Sequence, residues 1–154
     1  HYHLNGGYTI MIHNPNISLA FIFESTYTEQ YPFGMFLENH LKSDYKILRH
    51  FTTEFLEIPL NLLNENMVEF SIRKWIKELP EFDILILEET QELIGRPFTQ
   101  EFLGEILIEL INTGKKVIIT SAKNSDDLSS LKGYLYFNLP KELIFEGDFQ
   151  NDLF

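Results

Sequence analysis

The chain has 154 residues, with 12 Lys and Arg against 23 Asp and Glu, a formal net charge of −11. That length suits one domain with a sizeable core, and 44% hydrophobic with 23% charged residues excludes a disordered chain. The acidic balance opposes a DNA-coating or anionic-membrane role, both of which need a cationic surface; the absence of cysteine removes disulfides, thiol nucleophiles and thiolate metal sites. No apolar run reaches the ~20 residues of a membrane span and nothing at the start reads as a signal peptide, so a soluble cytoplasmic domain is expected.

The segment His1-Tyr2-His3-Leu4-Asn5-Gly6-Gly7 lacks a methionine and is set aside from fold reasoning. Tyr8–Ile12 reads as a short strand, followed by a turn at Asn14-Pro15-Asn16. Ser18–Phe23 is a continuous apolar run of strand length, the pattern of a strand buried on both faces. Phe33, Phe36, Leu37, His40 and Leu41 then share one helical face, and Tyr45–Phe51 is the next predicted strand. From Asn64 onward, Val68, Ile72, Trp75, Ile76 and Leu79 repeat at helical spacing until Pro80 stops them.

Phe82–Leu87 is a second fully apolar strand. Phe102, Leu103, Ile106, Leu107, Leu110 and Ile111 form the clearest amphipathic helix, and Gly114 stands where a helix C-terminal glycine belongs, with Lys115 and Lys116 beside it. Val117–Ser121 is a third buried strand and Ser125–Leu131 a short helix. Tyr134–Leu139, closed by Pro140, reads as a fourth strand in this series. Alternation of apolar strands with amphipathic helices predicts an α/β fold with a parallel sheet covered on both faces, three layers in all.

Ligands in such sheets sit at the carboxyl ends of the strands, so the residues after each strand matter most. After Leu87 come Glu88 and Glu89, and an apolar strand followed by two acids has the form of a Walker B element, in which the acids serve Mg²⁺ and the attacking water. Asp83-Ile84-Leu85-Ile86-Leu87-Glu88-Glu89-Thr90-Gln91-Glu92-Leu93-Ile94-Gly95, then Thr99-Gln100-Glu101-Phe102, then Gly114-Lys115-Lys116-Val117-Ile118-Ile119-Thr120-Ser121, resemble the DnaA/Hda-type AAA+ family of bacterial replication initiators and their short regulatory relatives. The likeness runs in element order from about Leu19 to Leu131 and is sharp from Asp83 to Ser121. It implies a P-loop NTPase/AAA+ core, here expected without the helical lid, in which Gln91 follows the acidic pair and Thr120-Ser121 ends the sensor-1 strand.

The departures from the family are as informative. A working P-loop reads G-x-x-x-x-G-K-[ST], because glycine amides must approach the phosphates and lysine must neutralise them. The stretch after Phe23 reads Glu24-Ser25-Thr26-Tyr27-Thr28-Glu29-Gln30-Tyr31. Aligned without gaps, Glu29 replaces the last glycine, Gln30 the lysine and Tyr31 the Mg²⁺-binding Ser/Thr, and two carboxylates oppose triphosphate binding. The segment Ala122–Lys132, where the family carries its arginine finger, holds no arginine, and lysine lacks the planar fork. The resemblance thus implies a degenerate nucleotide site at Glu29, Gln30, Tyr31, Glu88 and Glu89. No enzymatic activity and no cofactor are expected; an ATPase using Mg²⁺ and ATP through an atypical loop is the alternative.

The chain finishes Gln150-Asn151-Asp152-Leu153-Phe154, which resembles the bacterial sliding-clamp-binding motif, commonly Gln-Leu-Asp/Ser-Leu-Phe. In that motif Gln150 would hydrogen-bond at one end of a groove, Asp152 would hold the turn of the peptide, and Leu153 with Phe154 would enter an apolar pocket. Asn151 departs from the usual leucine, and the Hda group carries its motif at the other terminus. The organisation expected is a degenerate AAA+-like domain over 8–149 and a clamp-binding tail over 150–154. Expected partners are the DNA polymerase III sliding clamp and DnaA or another replication protein, with no direct nucleic acid and no membrane. The histidines show no metal-ligand spacing. Phe33, Met35 and Phe36 are the expected exposed apolar patch beside the former nucleotide site.

Overall fold

A computed structural model describes residues 14–24, 33–65, 70–122 and 125–149. The five strands are β1 (Leu19–Glu24), β2 (Ile47–Phe51), β3 (Ile84–Glu88), β4 (Lys116–Ser121) and β5 (Ile144–Phe149). The helices are α1 (Phe33–Leu41), α2 (Thr52–Asn64), α3 (Ile72–Lys77), α4 (Pro97–Asn112) and α5 (Ser129–Asn138). The strands form one sheet in the order β2-β3-β4-β1-β5, and every pair is parallel.

Topology explains the layering. The connection from β1 runs toward β2 at one edge of the sheet, whereas every later connection runs the opposite way. Because crossovers between parallel strands are right-handed, reversing direction places the first helix on the opposite face from the rest. Accordingly α1 packs Phe33, Leu37 and Leu41 against Ala20, Ile22, Ile84, Ile86 and Ile118. The larger core on the other face joins alternate strand residues such as Phe21, Leu85 and Ile119 to Leu56, Trp75, Leu103, Leu107 and Leu131. The expected three-layer parallel α/β fold is therefore present, with β1, β3 and all of β4 beyond Lys116 buried throughout. Gly114 closes α4 at φ 89°, and the amides of Gly114 and Lys115 reach back to Ile111 and Leu110.

Two local expectations are corrected. Tyr134–Leu139 is not a strand but the second half of α5 and its C-terminal end. Its aromatic residues suit a strand, yet the side chains that reach the core are Leu131, Leu135 and Leu139, at helical spacing, while Phe137 is 89% exposed. The remaining strand is β5, an edge strand carrying Glu146, Gly147 and Asp148 and therefore lacking an apolar run. Among the described residues the helix predicted from Asn64 to Leu79 covers Ile72–Lys77; Asn64 instead ends α2, a helix left unassigned from the sequence, with Pro59 inside it. The Tyr8–Ile12 strand and Val68 lie outside the described residues.

Candidate functional site at the carboxyl end of the sheet

The reversal at β1 makes its carboxyl end the topological switch point, where parallel α/β sheets bind ligands. Glu24 ends β1, Glu88 ends β3, and Thr120 and Ser121 end β4. Strand alternation puts Glu24, Glu88 and Thr120 on the α1 side of the sheet, continuing the rows Ala20–Ile22, Ile84–Ile86 and Ile118. All three are buried.

Glu24 fills the position next to the first turn of α1. Its Oε1 accepts the backbone amide of Phe33 at 2.9 Å, satisfying one of the amides a helix N-terminus leaves unpaired. Burial pushes the Glu24 carboxyl up to about 7, partly offset by that amide, and the nearby Glu88 and Glu89 push it further in the same direction.

Glu88 is tied to the neighbouring strand. Arg49 of β2 donates from Nη1 to Glu88 Oε1 at 2.7 Å and from Nε to Glu38 Oε1 of α1 at 3.0 Å, so one guanidinium joins β2, β3 and α1. Burial raises the Glu88 carboxyl above its ordinary value and Arg49 only partly opposes this, as expected when desolvation outweighs a Coulombic gain. Burial acts to lower the Arg49 guanidinium, but Glu88 and Glu38 together outweigh it and raise it. The other Glu88 oxygen, Oε2, and the Thr120 hydroxyl are buried without hydrogen-bond partners among the described residues.

Gly34 makes this packing possible. A Cβ at that position would collide with the Glu88 carboxylate, which Arg49 holds in place. Gly34→Ala is therefore expected to destabilise the fold by roughly 1–3 kcal/mol in chemical denaturation, despite alanine's better helix propensity. Glu88→Ala in the same background should recover most of that loss; a Gly34→Ala chain as stable as the parent would contradict the packing.

Glu89 adopts a left-handed conformation, φ 61°, a strained position for a non-glycine residue at the turn out of β3. Burial and Glu92 raise its carboxyl, partly opposed by Gln91. Gln91 donates from Nε2 to Glu89 Oε2 at 3.3 Å and accepts the Ala122 amide on Oε1 at 3.1 Å, tying the end of β3 to the end of β4. The Thr52 hydroxyl donates to the Glu88 carbonyl at 2.8 Å and meets the Thr90 hydroxyl at 2.8 Å, tying in the start of α2.

Of the residues named from sequence, the structure brings Glu88 together with Glu24, and Glu89 with Gln91. Glu29, Gln30 and Tyr31, and the tail residues Gln150, Asp152, Leu153 and Phe154, lie outside the described residues. Phe33, expected on an exposed patch, is fully buried, because it is the first core residue of α1; Met35 and Phe36 are half-buried. Sequence reasoning missed Arg49, Glu38 and Gly34. The signal was present in Arg49, a charge two residues from Ile47 on the row of β2 that faces α1, where a half-buried guanidinium requires an acidic partner. Among the described residues no group of three or more His, Asp or Glu is arranged to hold a metal ion. No helix among them is long and apolar enough to cross a membrane.

A nucleotide at this end would need cationic or amide donors for its phosphates. The first amide of α1 is instead given to a carboxylate, and the guanidinium that reaches the site is engaged by Glu88 and Glu38.

Comparison with known proteins places the fold. The sequence model of the bacterial DnaA ATPase domain matches residues 36–146. The chromosomal replication initiator protein DnaA of Desulfotalea psychrophila is 29% identical over 98 residues, 62% of this chain and 20% of that protein, so the chain spans about a fifth of this curated relative. Domain III of the Thermotoga maritima replication initiation protein DnaA superposes with a TM-score of 0.65 at 18% identity, covering 92% of this chain and 58% of that one. A replication initiator DnaA bound to AMPPCP and single-stranded DNA gives 0.64 at 18% identity over 94% and 44% of the two chains. With the family match over most of its length and an AAA+ core of this form, the chain belongs to the bacterial DnaA ATPase-domain family.

Proposed function

We propose that this chain is a non-catalytic, DnaA-like adaptor of DNA replication. It tethers to the DNA polymerase III sliding clamp through Gln150–Phe154 and regulates or recruits a replication protein, DnaA among the candidates, through its core. The observation that carries the non-catalytic half is the Glu24 carboxylate on the Phe33 amide, which gives the start of α1 an anion from within the chain. The loop sequence supports it, with Glu29, Gln30 and Tyr31 in place of the glycine, lysine and hydroxyl residue. A net charge of −11 opposes retention on DNA by the core itself.

The tether rests on the motif, which follows β5, whose last residue Phe149 pairs with Glu24. The test is binding of the full chain to a bacterial sliding clamp beside a chain ending at Phe149. Micromolar binding by the full chain, weakened about 100-fold or more by the truncation and by Leu153→Ala with Phe154→Ala, is expected. Equal behaviour of full and truncated chains removes the tether.

A second reading is an ATP-binding module with an atypical phosphate loop, acting in replication initiation and using Glu88 and Glu89 for Mg²⁺ and water. It is favoured by the similarity to a DnaA bound to AMPPCP and by the two buried, unpartnered oxygens of Glu88 and Thr120. Nucleotide titration separates the two readings.

A further inference from the structure

α4 carries a second feature. Between α3, α4 and α5 lies a groove of about 640 Å³, within the range of ligand and peptide sites. Its apolar floor includes Phe70, Phe98, Phe102 and Ile108. Phe98 stacks nearly parallel on Phe102, with ring centroids 6.5 Å apart, yet remains 64% exposed. With Phe70 tilted against Phe102 at 6.4 Å, the three rings form one aromatic surface in the groove. Tyr134 also lines the groove, and because a Cβ at Gly104 would press on its ring at 2.6 Å, glycine there lets the ring lie against α4.

The rim is acidic. Glu101, Glu105 and Glu109 follow one another at intervals of one helical turn along the groove. Glu109 is engaged by Arg73 at 3.1 Å, while Glu101 and Glu105 are exposed. Burial, then Glu105, Glu101 and Glu109, all raise the Tyr134 hydroxyl above its ordinary value, so the three carboxylates act on the groove as one negative field. Apart from Phe70 and Ser71, the residues lining the groove lie in α2, α3, α4 and α5, whose main chains are hydrogen-bonded within their own helices, so the walls favour a helix that satisfies its own main chain over an extended peptide.

We propose that this groove binds an amphipathic helix of a partner protein, with apolar side chains seated on Phe98 and its neighbours and Lys or Arg side chains over Glu101 and Glu105. The inference rests on the adaptor reading for the existence of a core partner, and it gives that partner a surface and a chemistry. It uses none of the residues of the nucleotide end or the tail.

The probe is a fluorescent amphipathic peptide of Leu and Lys only, in helical period, titrated with the full chain at ~0.15 M salt and read by anisotropy. Micromolar binding is expected, weakened about tenfold by Glu101→Lys with Glu105→Lys and about fivefold by Phe98→Ala. Glu57→Lys with Glu81→Lys makes the same change in net charge at exposed positions elsewhere and should weaken binding less than about twofold. Three results each overturn the proposal: no binding by the intact chain, equal weakening by the two charge-reversed pairs, or no effect of Phe98→Ala. A chain that binds the clamp but not the peptide loses the groove alone, and one that binds the peptide but not the clamp loses the tether alone.

Discussion

Raising the pH from 5 to 8 is expected to destabilise the fold by about 3 kcal/mol through Glu24 alone, and Glu24→Gln should abolish that contribution. The folded-state carboxyl titrates at about 7 against 4.5 for the ordinary group, so between these values the native state binds more protons than the unfolded chain. Stability from this group is fully present below 4.5 and is lost as the pH rises through about 7. Glu88 and Glu89 are raised as well and act in the same direction. Glutamine keeps an oxygen for the Phe33 amide while removing the buried charge. Denaturant unfolding at the two pH values, parent against Glu24→Gln, isolates the effect from the general repulsion of an acidic chain. The variant should be the more stable of the two at pH 8 and nearly equal at pH 5. Parallel pH profiles would contradict the burial of Glu24 as a charge-bearing group.

Arg49→Met should destabilise the chain by roughly 3 kcal/mol at pH 8, because it leaves Glu88, 3% exposed at its side chain, without a counter-ion. Part of the loss is relieved by protonation, since burial already favours the neutral carboxyl, so the penalty should shrink at pH 5. Arg49→Met with Glu88→Gln should recover more than half of it, the signature of a coupled pair. If Arg49→Met cost nothing at pH 8, the three-way link among β2, β3 and α1 would not be a stabilising element. Removing Glu38, whose side chain is 31% exposed, should matter far less, because water replaces a half-buried partner at little cost.

The strands buried on both faces were legible because burial leaves them no polar residues: β1, β3 and β4 read as apolar runs. β5 was not, since an edge strand tolerates Glu146 and Asp148 and does not announce itself by hydrophobicity. The Tyr134–Leu139 stretch misled because side-chain type and burial period disagreed, and the period of Leu131, Leu135 and Leu139 decided the structure. The acidic pair after β3 was legible from its position in the sheet. Its partners were not, because Arg49 lies 39 residues from Glu88 and meets it only through the β2–β3 register. Gly34 was equally silent: its reason is a carboxylate arriving from another strand, not a turn of its own.

Direct titration of the full chain with ATP and Mg²⁺ at pH 8, by calorimetry and by thermal unfolding, tests the central proposal that this DnaA-family core is non-catalytic and binds no nucleotide, with Glu24 taking the Phe33 amide. The account predicts no saturable heat and no rise in Tm at millimolar nucleotide. A ligand present at 100-fold its Kd would stabilise the native state by about 2.7 kcal/mol and lift Tm by several degrees. A saturable heat with such a rise would contradict the account and establish the ATP-binding reading in its place.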